Sequence, residues 1–153
     1  MNTMERSLVS GGDRAGRTRA GRRAFVIMPF DSAFDVLHRR AIRPALEQFD
    51  FVAERYDDAP KVGSVLEEMS RSIDQADLVI AVVTGKNANV LFELGITIAF
   101  GKPCVLLASA ASDVPDFLRH LPHVVYRGDA DVARNGLVAS IPAIPIARPA
   151  FQE

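Results

Sequence analysis

The sequence has little cysteine and no long apolar run, and both absences narrow the kinds of protein it can be. Cys104 is its only cysteine, so the chain cannot form an internal disulfide, and the apolar residues that follow predict a buried, inert thiol. No apolar stretch approaches the roughly 20 residues that a membrane-spanning helix needs, and no signal segment opens the chain. We therefore expect a cytoplasmic protein that does not contact the membrane.

Histidine is also scarce, and its placement argues against a metal site. The chain contains three histidines, His38, His120 and His123. They lack the spacing of metal ligands, and His38 is remote from the other two in sequence. We expect neither a metal nor another cofactor.

Charge is spread unevenly along a chain whose formal net charge is only −1. Residues 1–23 carry six arginines against two acidic residues. They are also rich in glycine, serine and threonine and show no hydrophobic period, which predicts a disordered, arginine-rich arm. A solvated tail is the simpler interpretation of this arm, and contact with nucleic acid is the less favoured one.

Residues 24–140 alternate short apolar runs with amphipathic stretches, which indicates one domain. With 153 residues, of which 48% are apolar, the chain is large enough to bury a core. Strands are predicted at residues 24–28, 51–53, 78–83, 105–108 and 124–126, and helices at 34–49, 62–73, 89–101 and 129–140. This order predicts a three-layer α/β fold of the flavodoxin or Rossmann kind, with a parallel sheet of about five strands and helices on both faces.

Two local features qualify this pattern. Pro44 lies inside the first predicted helix, where it predicts a kink or a break. Residues 141–153 are rich in proline, which predicts an extended arm that lies on its own domain or on a neighbouring subunit.

Ligands of such sheets bind outside the carboxyl ends of the strands. Three predicted loops lie at this edge, at residues 28–34, 55–61 and 84–89. The third loop leads directly into the helix that contains Glu93. We therefore expect Glu93 to face the same crevice as the other two loops.

Glu93 is the only ionisable residue between positions 87 and 102. Asn89 suits an N-cap and Gly101 suits a helix end, so this stretch predicts one short helix that is apolar nearly all round. Such a helix is normally buried, and a carboxylate in its first turns is costly to desolvate unless a partner or the positive helix end compensates. We therefore interpret Glu93 as a functional residue.

Five segments, in this order along the chain, resemble a known family. They are residues 25–31 (FVIMPFD), 55–57 (RYD), 73–81 (IDQADLVIA), 87–95 (NANVLFELG) and 101–103 (GKP). Together they resemble the nucleoside 2-deoxyribosyltransferase-like group and, more closely, its predicted nucleotide-binding, TIR-like branch.

The resemblance implies roles for individual residues. In the transferases the glutamate of the Glu-Leu-Gly segment is the nucleophile that takes the sugar, and TIR-type NAD-cleaving domains carry a catalytic glutamate on a comparable helix. By resemblance this role falls on Glu93, and a second carboxylate of the transferases falls near Glu67 or Glu68. The transferases form oligomers with shared active sites, so the resemblance also implies a homo-oligomer. Val82 and Asn87 depart from the pattern, because relatives carry acidic residues there.

The chemistry of such a site needs carboxylates. Cleavage of an N-glycosidic bond passes through a cation-like sugar, which a carboxylate such as Glu93 can stabilise or trap covalently. The start of the helix lowers the pKa of Glu93 while apolar surroundings raise it, and a nucleophile needs the first effect to dominate. The leaving base needs a proton or a hydrogen bond, for which Glu67, Glu68 and Asp57 are candidates.

Five further residues are candidates for contact with the substrate. Asn87 and Asn89 are candidates for binding sugar hydroxyls or phosphate, although helix capping alone would explain Asn89. Met28, Pro29 and Phe30 are candidates for the wall around the base.

Three classes of function stay open. The first is an enzyme that cleaves the N-glycosidic bond of a nucleoside or nucleotide, by deoxyribosyl transfer or hydrolysis. The second is a TIR-like NAD-cleaving enzyme of a defence or signalling system. The third is a nucleotide-binding module without turnover, which the departures at Val82 and Asn87 keep open. In each case the partner is a small molecule: a nucleoside, a nucleotide or NAD.

Overall fold

The fold is a five-stranded parallel sheet between two layers of helices, as the sequence predicts. A computed structural model describes residues 21–55 and 64–146. The sheet has the order β2-β1-β3-β4-β5, which is the flavodoxin-like order. Its strands are β1 (Arg22–Ile27), β2 (Phe51–Arg55), β3 (Leu78–Val82), β4 (Cys104–Ala108) and β5 (His123–Val125).

The two central strands β3 and β4 are buried along their whole length. Their sequences are uninterrupted apolar runs because helices cover both faces of a parallel sheet. In the register of the sheet, Ile80 lies between Val26 and Val105. Cys104 begins β4, is buried, and has its thiol pKa raised by that burial. This position agrees with the predicted inert thiol.

The helices divide into two layers. Helices α1 (Asp35–Leu37), α2 (Arg43–Glu47) and α5 (Ala130–Ser140) cover one face, and α3 (Val65–Gln75) and α4 (Ala88–Ala99) cover the other. Successive residues of each strand point to opposite layers. Within the described ranges, no helix has both the length and the apolar character to cross a membrane.

The first helical stretch does not break at Pro44, but its hydrogen bonding changes just before this residue. Five residues, His38–Ile42, form a π-helical turn between α1 and α2, and Pro44 lies in the first turn of α2. Proline has no N–H to donate to the carbonyl four residues earlier, so regular α-helical hydrogen bonding cannot run through this position.

The first strand begins two residues before the predicted domain boundary at residue 24. Arg22 donates a hydrogen bond of 2.7 Å to the carbonyl of Phe49 and stacks 4.5 Å from the ring centre of Phe51. Arg23 forms an ion pair of 2.6 Å with Glu54. These arginines therefore belong to the domain, because they bind residues that are distant in sequence. The hydrophobic pattern of the sequence does not reveal such polar contacts, so it placed the boundary two residues too late.

The start of the predicted C-terminal tail packs on its own domain. Ile141–Ala143 form a 3-10 turn in which Ile141 is buried, and Ile144 and Ile146 pack against the core beneath α5. Residues 147–153 and the arm residues 1–20 lie outside the described ranges. Exchange of the tail between subunits therefore stays a prediction.

Candidate active site

A pocket lies at the carboxyl edge of the sheet, between the segment after β1 and helices α3 and α4. Its volume is about 350 Å³, and its lining residues are Phe30, Val65, Leu66, Met69, Asn89, Phe92 and Glu93. The strand order reverses between β1 and β3, and ligands of open α/β sheets bind at such a switch point. Two of the three predicted loops meet here, through Phe30 and the start of α4. Residues 56–61 of the other loop lie outside the described ranges.

The wall of the pocket is largely apolar. Phe30 and Phe92 are 43% and 59% exposed, so neither residue is packed inside the core. Asn89 and Glu93 are the two polar residues in the described lining. An apolar wall with a few convergent polar groups is typical of a small-molecule site, and flat aromatic rings suit a flat ligand such as a nucleobase.

Asn87 caps helix α4, and the prediction that Asn89 is the cap is wrong by two residues. The Asn87 Oδ1 atom accepts hydrogen bonds from the N–H groups of Asn89, at 3.0 Å, and Val90, at 3.2 Å. The helix begins earlier than predicted because Gly85 and Lys86 turn the chain with φ angles of 73° and 52°. The Asn89 side chain therefore has no capping role, and it lies in the pocket one turn before Glu93.

Glu93 is half-buried, and burial raises the pKa of its carboxyl from 4.5 to about 7. Within residues 21–55 and 64–146, no hydrogen bond or ion pair offsets this loss of solvation. The apolar surroundings therefore outweigh the helix start, which is the reverse of what the sequence argument required of a nucleophile. At pH 7 about half of the empty sites hold the neutral acid.

Comparison with known proteins decides the family. The family model of nucleoside 2-deoxyribosyltransferase matches residues 30–141. The chain belongs to the nucleoside 2-deoxyribosyltransferase family. The matched span contains every residue of the pocket lining described above. Assignment to the TIR-like branch stays a prediction.

Two solved structures share the fold. One is a 2-deoxyribosyltransferase from Bacillus psychrosaccharolyticus, with 16% identity and a TM-score of 0.57 over 74% of this chain and 90% of that chain. The other is a fungal multi-domain GH3 beta-N-acetylglucosaminidase with a GCN5-related glucosamine N-acetyltransferase region. It has 12% identity and a TM-score of 0.50, over 82% of this chain but only 15% of that one. At such identities the likeness concerns the fold alone. No curated protein matches the sequence at a significant level.

Two residues predicted for the wall around the base do not reach the pocket. Met28 is buried in the core on the face covered by α1, α2 and α5, together with Val26. Alternate residues along β1 point to opposite faces, so Met28 points away from α4. Pro29 is buried and is not part of the described lining, whereas Phe30 is.

Helix α3 does not bring Glu67 to the pocket. Met69 and Ile73 mark the buried side of this helix, and Glu67 is exposed on the other side. Glu68 is more buried than Glu67 but also lies outside the described lining. Asp57 falls in the part of the chain that the structure does not describe. No group of three histidine, cysteine or acidic side chains in the described part of the chain is arranged to hold a metal ion.

The two departures from the pattern of the family lie outside the described lining of the pocket. Val82 is fully buried in the core on the face opposite α4. Asn87 caps α4. Neither departure therefore removes a polar group from the wall around Glu93.

Four lining residues carried no functional signal in the sequence. Val65, Leu66 and Met69 appeared there only as part of the apolar face of a helix, and Phe92 as part of an apolar helix. Val65 and Leu66 are 58% and 48% exposed, so the apolar face of α3 extends beyond the core into the pocket. The sequence could have indicated these residues in one way: the apolar face of α3 is longer than the sheet can cover, so part of it must stay accessible.

Proposed function

We propose that the protein cleaves the N-glycosidic bond of a nucleoside, with the Glu93 carboxylate attacking the anomeric carbon of the sugar. The observation that carries this proposal is the position of Glu93. It is the one charged side chain in the described lining of an apolar pocket, in a chain of the nucleoside 2-deoxyribosyltransferase family. A carboxyl group desolvated without a cation opposes stability, so its placement is better explained by chemistry than by packing.

The proposed reaction has two steps. In the first, a carboxylate oxygen of Glu93 forms a bond to C1′ of the sugar while the bond from C1′ to the base nitrogen breaks, and the electron pair stays on the base. The negative carboxylate opposes the positive charge that develops on the sugar. In the second step, water or another base attacks C1′, the bond from C1′ to the Glu93 oxygen breaks with its electron pair returning to the carboxylate, and the attacking group passes its proton to the group that protonated the leaving base. Attack by water gives hydrolysis, and attack by a base gives transfer.

The lining residues suggest how the substrate is held. Phe30 and Phe92 offer rings for stacking on the base, and Asn89 offers an amide to the sugar hydroxyls one turn from Glu93. An uncharged nucleoside suits this wall better than a nucleotide or NAD. The described lining has no cation to bind phosphate, and Glu93 repels a second negative charge.

The leaving base must also receive a proton. Glu67 points away from the pocket, so Glu68 and Asp57 remain the candidate donors, and Gln or Asn variants compare them directly. The variant that lacks the true donor loses base release from ordinary nucleosides. It retains release from a substrate whose leaving group is stable without a proton. A candidate whose variant releases both kinds of leaving group normally is not the donor.

We also propose that the protein acts as a homo-oligomer. Ile98 and Phe100 stay 42% and 46% exposed near the C-terminal end of α4, and contact with a second copy at this end would cover them. Light scattering at micromolar concentration tests this proposal. A monomer that is unchanged by deletion of residues 147–153 would exclude it.

The test of the proposed reaction is direct. The purified protein is incubated with deoxyribonucleosides, ribonucleosides, their 5′-monophosphates and NAD, with and without a second free base, and the products are separated by chromatography. We expect free base from nucleosides, and a new nucleoside when the second base is present if transfer occurs. Binding without base release would indicate a binding module, and release from NAD alone would indicate the TIR-like activity.

A further inference from the structure

The turn between β3 and α4 has a backbone conformation that needs support. Gly85 and Lys86 have φ angles of 73° and 52°. For Lys86, which has a Cβ atom, this left-handed conformation is unfavourable and persists where surrounding contacts fix it. The turn ends at Asn87, the cap of the helix that carries Asn89 and Glu93. The conformation of the turn therefore sets where these two side chains point.

Thr84, the first residue of the turn, is tied to two neighbouring strands. Its Oγ1 atom lies 2.8 Å from the phenolic oxygen of Tyr126 and accepts a hydrogen bond of 3.1 Å from the N–H of Ser109. Ser109 directly follows β4 and Tyr126 directly follows β5. The N–H of Lys86 also donates to the carbonyl of Val83, at 2.9 Å. One threonine hydroxyl thus joins the turn to the ends of β4 and β5.

The Tyr126 side chain is held in place by the core. It is buried on the face covered by α1, α2 and α5. Burial raises the pKa of the phenol, so the hydroxyl keeps its proton at neutral pH. Its position is set by core packing on the other side of the sheet from the pocket.

We propose that Tyr126 and Thr84 are positioning residues, whose hydrogen bond holds the turn and the first turn of α4 in the geometry that directs Asn89 and Glu93 into the pocket. Neither residue belongs to the described lining, so each acts through the turn and not on the substrate. The inference deepens the proposed active site and rests on the proposed function only for its activity readout.

Matched variants isolate the hydrogen bond. Tyr126→Phe removes only the hydrogen bond between Tyr126 and Thr84. Thr84→Val keeps the shape of the side chain but removes that bond together with the one from the N–H of Ser109, and Thr84→Ser keeps the hydroxyl. Ser140→Ala is the control, because it removes a hydroxyl that donates to the carbonyl of Gly136, at 2.7 Å, within α5. Two independent single removals keep the test decisive if one variant fails to fold.

The first readout is amide hydrogen exchange at the two helix starts. Asn87 accepts from the N–H groups of Asn89 and Val90 in α4, and Asp129 accepts in the same way from Asp131 and Val132 in α5. We expect Tyr126→Phe and Thr84→Val to speed exchange of the α4 pair about fivefold and to leave the α5 pair within about twofold. Thr84→Ser and Ser140→Ala should leave both pairs near wild type. Unchanged exchange in α4, or equal acceleration in both helices, would overturn the proposal.

The second readout is turnover. We expect kcat to fall about tenfold in Tyr126→Phe and Thr84→Val and to recover in Thr84→Ser, because a displaced carboxylate loses its alignment with C1′. A fall in kcat without faster exchange in α4 would mean that Tyr126 acts on the substrate, which also contradicts the proposal. If the wild-type protein releases no base, the proposed function fails, while the exchange result still decides whether Tyr126 and Thr84 hold α4.

Discussion

Helices α4 and α5 begin with the same kind of cap but differ in which side chains they expose. They have 12 and 11 residues, and each starts with an Asn or Asp side chain that accepts two backbone N–H groups. In α5, Asp131 pairs with Arg134 on the surface and Leu137 is buried. In α4, Phe92 is largely exposed while the carboxyl of Glu93 lines an apolar pocket.

The contrast separates what stability explains from what it does not. An apolar buried side and a polar outer side account for most of α5, in which Val132 is the large apolar residue that stays exposed, at 44%. Exposing an aromatic ring and desolvating a carboxyl group both cost free energy, so packing does not account for α4. The proposed site, in which a flat ligand lies beside a reactive carboxylate, would explain both features at once.

The largest expected effect comes from removing the charge of Glu93. Glu93→Gln keeps the size of the side chain but removes the nucleophile, so we expect base release to fall at least about 1000-fold while nucleoside binding persists. Asp131→Asn makes the same chemical change at the start of α5 and should stay within about twofold of wild type, since surface ion pairs contribute little. The measurement is free base by chromatography, together with binding by calorimetry. Wild-type turnover in Glu93→Gln would rule out this nucleophile.

The second expected effect is a pH dependence of kcat/KM that comes from Glu93 in α4 and has no counterpart in α5. Burial raises the pKa of Glu93 to about 7, and only its ionised form attacks C1′. For a substrate whose leaving group is stable without a proton, we expect kcat/KM, which reports the free enzyme, to rise with pH and level off above that pKa, with about one tenth of the plateau at pH 6. Asp131→Asn should leave the profile unchanged. A rate that is flat or falling from pH 5.5 to 8 would contradict an ionised Glu93 as the attacking group.

The third prediction separates the two asparagines at the start of α4. Asn87→Ala removes a cap and should lower the free energy of unfolding by about 1 kcal/mol, as Asp129→Ala should in α5. Asn89→Ala removes a pocket side chain and no cap, so we expect a KM about tenfold higher with little change in melting temperature. Thermal denaturation and steady-state kinetics on the three variants measure both quantities. If Asn89→Ala destabilised the protein as much as Asn87→Ala, the assigned cap would be wrong.

The fold was predictable because its signals are local and strong. Unbroken apolar runs such as 78–83 favour burial on both faces, which a parallel sheet covered by helices provides. The predicted boundaries of the elements were less accurate. Arg22 and Arg23 belong to β1 and make contacts with residues far along the chain. A periodicity argument cannot register such contacts.

The site was predictable only in part, because it depends on the direction of side chains. The apolar surroundings of Glu93 follow from its isolation among apolar residues in the sequence. The identity of the N-cap of α4 does not follow from the sequence, since Asn87 and Asn89 both suit that role. The conformation of the turn before the helix decides between them. Met28 and Glu67 lie in segments next to the pocket, but their side chains point away from it. The direction of a side chain depends on the exact residue at which a strand or helix begins, and the sequence does not fix that residue.

The last expected effect is on stability as a function of pH, and it again distinguishes the carboxyl of α4 from that of α5. The pKa of Glu93 is about 7 in the folded protein against 4.5 for the ordinary group. Between these values the folded state binds more protons than the unfolded state, so the contribution of Glu93 to stability falls as pH rises through this window. Glu93→Gln does not titrate. We therefore expect its melting temperature to match wild type near pH 4.5 and to exceed it by a margin that grows up to about pH 8, whereas the difference for Asp131→Asn should not grow in this way. Melting curves at several pH values measure both differences, and a Glu93→Gln variant that is clearly less stable than wild type at pH 8 would mean that the carboxylate stabilises the fold.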